Sequence, residues 1–142
     1  MTIYDVFPKT IKTVDLVSLQ DKKIKENLDK ILNEQDYLWN NDYREYGHYS
    51  GNQYVLDKPE LKDLKKEIAF KVLEFGTKDY GHDLKAIRVI SSWTHEVGTD
   101  QFIPAQRHAN SYISGCVYLK DGPTISFTDN EDGNKMFNFS PL

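Results

Sequence analysis

The sequence of 142 residues contains a single cysteine, Cys116, and no long apolar run. Cys116 lies in an apolar stretch without an activating neighbour, which predicts a small buried residue in a reducing compartment and disfavours a nucleophile. No segment approaches the roughly 20 apolar residues that a membrane span requires. The opening Met1-Thr2-Ile3-Tyr4-Asp5 is not typical of a signal peptide. We therefore expect a cytoplasmic protein that does not contact a membrane.

Neither sign of charge is in large excess. The sequence has 18 basic and 22 acidic residues, a net charge of -4. This mildly acidic balance disfavours a protein that binds a phosphate backbone, so nucleic acid is not the expected partner. At this length we expect one domain, 1–142, with a core large enough to need no disulfides.

Two amphipathic helices are predicted in the first half of the chain. Ser18 is a suitable N-cap, and the apolar residues behind it recur on one helical face as far as Asn33. The second helix is predicted from Pro59 to Phe75, with Gly76 as the glycine that ends it. Alternating residues from Ile3 to Val17 predict an edge strand before the first helix.

The segment from Gln35 to Val55 predicts a long loop, since it has no sustained period. Its aromatic side chains could line a pocket or cover the core, and covering the core is the favoured interpretation. His48 is interpreted as a solvated loop residue, because no partner ligand lies at helical spacing.

The second half of the chain predicts strands. Leu84 to Trp93 and Ser111 to Leu119 are apolar without a helical period. Thr124 to Phe127 should pair with Ser111 to Leu119 as a hairpin across the turn Asp121-Gly122-Pro123. A further strand begins at Met136 to Phe139. The fold class is therefore α+β, with two N-terminal helices packed on an antiparallel sheet that resembles part of a jelly roll.

His108 and Asn110 stand directly before the strand predicted from Ser111. Side chains at the mouth of a sheet are held by a rigid scaffold and leave one side open to a substrate. Imidazole is a common ligand of transition metals. The pair His108-x-Asn110 therefore predicts a metal site.

A set of motifs along the chain resembles the 2-oxoglutarate/Fe(II)-dependent oxygenases, in the branch found in bacteria and tailed phages. The motifs are Phe7-Pro8, Pro59-Glu60-Leu61, Ser92-Trp93 followed by Gly98, and His108-x-Asn110-Ser111-x-Ile113-Ser114-Gly115-x-x-Tyr118-Leu119. The resemblance implies a cupin-like double-stranded β-helix that binds Fe(II), 2-oxoglutarate and dioxygen and hydroxylates a target. It implies His108 and Asn110 at the metal and Tyr118 and Arg107 at the co-substrate. A phage-encoded protein would work in the host cytoplasm.

The sequence departs from this family at the iron site, which takes two histidines and a carboxylate. Gln106 stands where the branch commonly has a first histidine, or else Asn110 replaces the carboxylate of a His-x-Asp pair that begins at His108. Asp100 or Glu96 could fold back to supply the missing charge.

A second departure concerns the residues that follow the motif. No histidine occurs after His108 and no arginine after Arg107, although the family carries a distal histidine and an arginine for 2-oxoglutarate on later strands. His95 could be the second histidine ligand, but a histidine at the end of a strand is the favoured interpretation.

Two functions stay open at this point. The first is a 2-oxoglutarate/Fe(II)-dependent dioxygenase whose iron and co-substrate sites are incomplete in this chain. The second is a catalytically inactive jelly-roll module for binding or assembly, such as a phage structural protein. Either would leave an open sheet edge, since the later strands are not present. We therefore expect a homo-oligomer or a partner protein at that edge.

Overall fold

A computed structural model describes residues 11–34, 37–38, 47–104, 106, 108, 110–120, 125–128 and 136–139. The chain groups into two compact units. The first unit comprises Met1–Glu34 and Tyr54–Ser91, and the second comprises Gln35–Gln53 and Ser92–Leu142. The expectation of a single domain stays a prediction.

The first unit begins with a 3₁₀ turn, Val17–Gln20, followed by helix α1, Lys22–Asn33. Asp21 is the N-cap, because its Oδ1 accepts from the backbone N–H groups of Lys23 at 2.8 Å and Ile24 at 3.4 Å. The prediction of Ser18 as N-cap is therefore wrong. Ser18 lies within the 3₁₀ turn, and its carbonyl accepts from the Asp21 N–H at 3.2 Å.

The edge strand predicted from Ile3 to Val17 is wrong for its described part. Residues 11–16 form neither strand nor helix, and Val17 begins the 3₁₀ turn. The remainder of that prediction lies outside the described residues, as does the Phe7-Pro8 motif.

Helix α2 confirms the second predicted helix, and a π-helical turn continues beyond the predicted end. A 3₁₀ turn, Pro59–Leu61, leads into α2, Lys62–Glu74, and a π-helical turn, Phe75–Asp79, follows. Gly76 is buried inside that last turn and does not end the helix. The glycine with a left-handed backbone is Gly81, with φ of 67°.

The buried apolar side chains of the first unit come from α1, α2 and the turns before α2. They are Ile24, Leu28, Ile31, Val55, Leu61 and Leu64. Leu16, Leu19, Leu56 and Ile68 pack against them. The apolar stripes of the helices thus pack on each other, and the prediction that they pack on a sheet of Leu84–Trp93 and Ser111–Leu119 is wrong. The reason is that residues 84–91 and 111–119 do not form strands.

The second unit contains a three-stranded antiparallel sheet in the order β1-β2-β3. Its strands are β1, Tyr37–Leu38, β2, His48–Ser50, and β3, His95–Glu96. Tyr49 lies opposite His95, and His48 lies opposite Glu96. The loop predicted from Gln35 to Val55 is therefore wrong where β1 and β2 form, and His48 is a half-buried strand residue rather than a solvated loop residue.

A separate two-stranded antiparallel sheet pairs β4, Ile125–Thr128, with β5, Met136–Phe139. The strands predicted near these positions are confirmed, but the predicted partner of the first is wrong. Ile125 pairs with Phe139 rather than with the segment Ser111–Leu119. The predicted turn Asp121-Gly122-Pro123 lies outside the described residues.

Helices and antiparallel strands together confirm the α+β class. The double-stranded β-helix stays a prediction. Within the described part of the chain, no helix combines the length and the apolar character needed to cross a membrane.

Candidate metal and ligand site

The second unit brings one indole and two imidazoles together. Trp93 and His95 are two residues apart in extended chain, so both side chains leave the backbone on the same side. The Nε1–H of Trp93 donates to Nε2 of His95 at 2.6 Å. Tyr49, opposite His95 in the sheet, has its ring centroid 6.4 Å from the imidazole. This side of the sheet therefore carries a Tyr–Trp–His group.

His108 joins this group from a distant part of the chain. Its ring centroid lies 5.2 Å from that of Trp93, and the Trp93 and His95 centroids are 6.2 Å apart. Burial lowers the pKa of His95, and the charge of His108 lowers it further. We call Tyr49, Trp93, His95 and His108 the Trp93 cluster.

Asn110, the second predicted metal ligand, lies in an exposed turn after His108. The Ser111 N–H donates to the His108 carbonyl at 3.2 Å and closes this turn. Both His108 and Asn110 are exposed, which leaves their donor atoms open to solvent. Gln106 is exposed as well, and Arg107 lies outside the described residues.

Tyr118, predicted to bind the co-substrate, is half-buried beside Cys116. Burial raises the pKa of Tyr118, the charge of Cys116 raises it further, and a hydrogen bond from the Ile125 backbone opposes both effects. Tyr118 therefore stays a neutral phenol at neutral pH.

Cys116 is exposed, so the prediction of a buried residue in an apolar strand is wrong. The segment around it is not a strand and leaves its sulfur at the surface. Neighbouring atoms still desolvate the sulfur and raise the pKa of the thiol. A raised pKa disfavours the thiolate, which is consistent with the prediction that Cys116 is not a nucleophile.

The carboxylates suggested as a third ligand are those of Glu96 and Asp100. The first points away from His95, and the second lies in a turn. Glu96 follows His95 directly in β3, so the two side chains point to opposite faces of the sheet. Asp100 has φ of 63° and lies in the turn that the Gln101 N–H closes on the Gly98 carbonyl at 3.2 Å.

The donors of the described residues fit an iron and 2-oxoglutarate site only in part. The Trp93 cluster offers two imidazoles, whereas the facial site requires a carboxylate too. Among the residues that the structure describes, no three histidines, cysteines or acids come close enough to hold a metal ion. We therefore derive no reaction step through iron or 2-oxoglutarate.

Trp93 and Tyr49 are the members of the cluster to which sequence patterns assigned no role at the site. The spacing Trp93-x-His95 is a usable signal, because residues two apart in a strand share a face. Tyr49 offers no comparable signal, since its position opposite His95 depends on the pairing of β2 with β3.

Comparison of the chain with models of protein families, with curated proteins and with solved structures gave no match.

Proposed function

We propose that this protein is a relative of the 2-oxoglutarate/Fe(II)-dependent oxygenases with a partial double-stranded β-helix and an incomplete iron site, in which His108 binds a divalent metal ion weakly. One observation carries the proposal. Trp93 and His108 belong to separate parts of the motifs that resemble the family, and their ring centroids are 5.2 Å apart. If the residues of a motif form a site, we expect its distant parts to be in contact.

The donors around His108 determine the expected strength of binding. His108 supplies one exposed imidazole and Asn110 a neutral amide oxygen. Neutral donors give up much of the electrostatic attraction that offsets dehydration of a divalent cation. Binding should therefore be weak, and 2-oxoglutarate should not be oriented well enough for turnover.

The test is an anaerobic titration of the full chain with Co(II) and Mn(II), followed by an assay for succinate with Fe(II), 2-oxoglutarate and air. We expect weak metal binding that His108→Ala abolishes and His82→Ala leaves unchanged. His82 is an exposed histidine of the first unit and is the matched control. Succinate should stay near background.

Two results would contradict the proposal in different ways. Binding that His108→Ala does not weaken would remove His108 from the site. Tight binding with His108-dependent release of succinate would show that the iron site is complete.

A second function, a module for binding or assembly, is favoured by the surface of the segment 111–119. Tyr112 is 53% exposed, Leu119 39% and Val117 38%, in a segment whose sequence is typical of a buried strand. An exposed apolar patch is typical of an interaction site, and this proposal takes the three side chains to form one. On this proposal a second copy of the chain covers the segment.

Light scattering over a range of micromolar concentrations tests this second proposal. We expect association that weakens when Tyr112 and Leu119 are both replaced by serine. Phe70→Ser is the matched control, because Phe70 is 62% exposed in the first unit. A monodisperse monomer throughout would contradict self-association.

A further inference from the structure

A cavity of about 280 Å³ lies in the first unit, beside the start of α2. Its lining consists of Leu56, Asp57, Lys58, Pro59, Lys62 and Lys65. Three of these six side chains are cationic and one is anionic, although the whole protein has a net charge of -4. Glu60 and Asp63, which are close in sequence, are exposed and are not part of the lining. The cavity is therefore a local concentration of positive charge.

The backbone of the lining is anchored to the core of the first unit. Val55 and Leu61, which flank residues 56–60, are 4% and 0% exposed. Within this stretch the Lys58 N–H donates to the Val55 carbonyl at 3.3 Å, and the Leu61 N–H donates to the Lys58 carbonyl at 3.0 Å. An anchored backbone keeps the lining residues together before a ligand arrives, which lowers the entropy cost of binding.

Asp57 balances one of the three amines. The Nζ atom of Lys65 donates to Oδ1 of Asp57 and forms an ion pair with it. Among the residues that the structure describes, no carboxylate forms an ion pair with Lys58 or Lys62. Two positive charges of the lining are thus available to an anion.

We propose that this cavity binds a small soluble phosphate monoester through the amines of Lys58 and Lys62. A phosphate monoester carries a charge of about −1.5 to −2 at pH 7, which matches two amines better than the single charge of a carboxylate does. Lysine binds phosphate as a point charge. Leu56 and Pro59 give the cavity an apolar part that suits the organic group of the ester. None of these residues belongs to the Trp93 cluster, so this site is independent of the proposed metal site.

Calorimetric titration of the full chain with phenyl phosphate tests the proposal. Inorganic phosphate, which lacks the organic group, and benzoate, which carries one charge, are the comparison ligands. We expect phenyl phosphate to bind more tightly than either. Its binding should weaken as NaCl is added, because salt screens charges that are open to solvent.

Two lysine variants test the assignment of the amines. Lys58→Gln and Lys62→Gln should each weaken the binding of phenyl phosphate by about threefold to fivefold, since an exposed ion pair contributes up to a factor of that size. Lys66→Gln is the matched control, because Lys66 is an exposed lysine of α2 outside the lining. It removes the same charge and should leave the affinity unchanged.

Asp57→Asn should act in the opposite direction. It removes the anion of the lining and releases the Lys65 amine, so binding should tighten by about threefold to fivefold. A variant that has lost its fold does not gain affinity, so this change separates an effect of charge from an effect of unfolding. Circular dichroism of each variant measures its helix content.

Four results would overturn the proposal. They are an unmodified protein that does not bind phenyl phosphate, an equal loss of affinity in Lys66→Gln, unchanged affinity in both Lys58→Gln and Lys62→Gln, and no gain in Asp57→Asn. Sedimentation with phosphatidylcholine vesicles that contain phosphatidic acid distinguishes a soluble ester from a lipid headgroup. Binding to these vesicles that depends on Lys58 and Lys62, without binding of phenyl phosphate, would overturn the assignment of a soluble ligand.

Discussion

Glu67 connects helix α2 with the 3₁₀ turn before α1. Its Oε1 accepts from the Val17 N–H at 2.7 Å, and its Oε2 accepts from the Ser18 N–H at 2.8 Å. A hydrogen bond from the Ser18 side chain lowers the pKa of Glu67 most, the two backbone bonds lower it further, and the charge of Lys71 contributes least. The main role of Glu67 in the structure is therefore to satisfy two backbone donors.

Replacement of Glu67 by glutamine should make the stability of the first unit less dependent on pH. The pKa of Glu67 is lower in the folded protein than its usual 4.5, so its contribution is fully present above pH 4.5 and is lost as the pH falls through the folded value. We expect Glu67→Gln to lower the free energy of unfolding by about 1 kcal/mol or less near pH 7, given its partial exposure to solvent. Urea unfolding at several pH values measures this difference.

The difference in the free energy of unfolding between the unmodified protein and Glu67→Gln should shrink at acidic pH, once Glu67 is protonated in both the folded and the unfolded state. A constant difference from neutral to strongly acidic pH would contradict the role assigned to this carboxylate.

Gly47 lies where β2 comes close to the chain that follows β3. Its N–H donates to the Phe102 carbonyl at 3.0 Å. A Cβ atom at this position would lie 2.8 Å from Cγ2 of Val97 and 2.9 Å from the Glu96 carbonyl oxygen. A backbone atom cannot move aside as the end of a flexible side chain can, so only glycine fits here.

Gly47→Ala should destabilise the second unit by about 1–3 kcal/mol, the usual cost of a forced contact. Gly115→Ala is the matched control, because a Cβ there would meet nothing within 4 Å. The chemical shifts of the Ser50 and His95 amides, together with thermal unfolding, measure the effect. Equal stability of the two variants would contradict the close approach of β2 at Gly47.

At the scale of elements, α1 and α2 form the core of the first unit together with the turns that precede α2. Leu61 has no exposed surface and Leu64 is 2% exposed. Phe70 lies on the same helix as Leu64 and is 62% exposed. The position of each residue around the helix, rather than its hydrophobicity, thus decides its contribution to stability.

Leu61→Ala should lower the free energy of unfolding by about 2–5 kcal/mol, since it leaves a cavity among packed side chains. Phe70→Ala removes a larger side chain and should cost less than about 1 kcal/mol, because that ring is already mostly in water. Chemical denaturation followed by circular dichroism gives both values. A larger loss for Phe70→Ala than for Leu61→Ala would contradict the packing of α2.

For the molecule as a whole, the two units differ in the kind of side chain that is buried. All the buried apolar side chains found in the described residues belong to the first unit. Among the residues of the second unit whose burial is described, the buried one is Ser50, whose Oγ donates to the Asn52 carbonyl at 2.8 Å and accepts from the Thr94 N–H at 3.1 Å. Hydrogen bonds that are not surrounded by packed apolar side chains contribute less to the free energy of unfolding than a packed core does.

Hydrogen exchange should therefore separate the two units. We expect the amides of Leu28 and Leu64 to exchange slowly, as core helices do. The Ser50 amide, which donates to the Thr94 carbonyl at 2.9 Å, should exchange markedly faster. Mass spectrometry or NMR in D₂O measures the rates, and a Ser50 amide as protected as that of Leu64 would contradict this difference.

The two helices could be predicted from the sequence, since a helix is a local structure with a period that its own residues carry. Ile24, Leu28 and Ile31 recur at the spacing of one helical face, and all three are buried in α1. The exact ends of the helices are harder to predict, because neighbouring residues compete for the cap position. Ser18 and Asp21 are both good N-caps, and the 3₁₀ turn that Glu67 holds left Asp21 as the cap.

The sheet and the candidate site could not be predicted in this way, because they depend on contacts between distant parts of the chain. Strands of two to four residues are too short to show a period. The sequence therefore favours strands in the apolar segments 84–93 and 111–119 over strands at His48–Ser50 or His95–Glu96. Pairing of β2 with β3 joins residues far apart in sequence, and local propensity carries no information about such a pair. His108 could be singled out from its motif, but its contact with Trp93, and the hydrogen bond that occupies Nε2 of His95, depend on how distant parts of the chain meet.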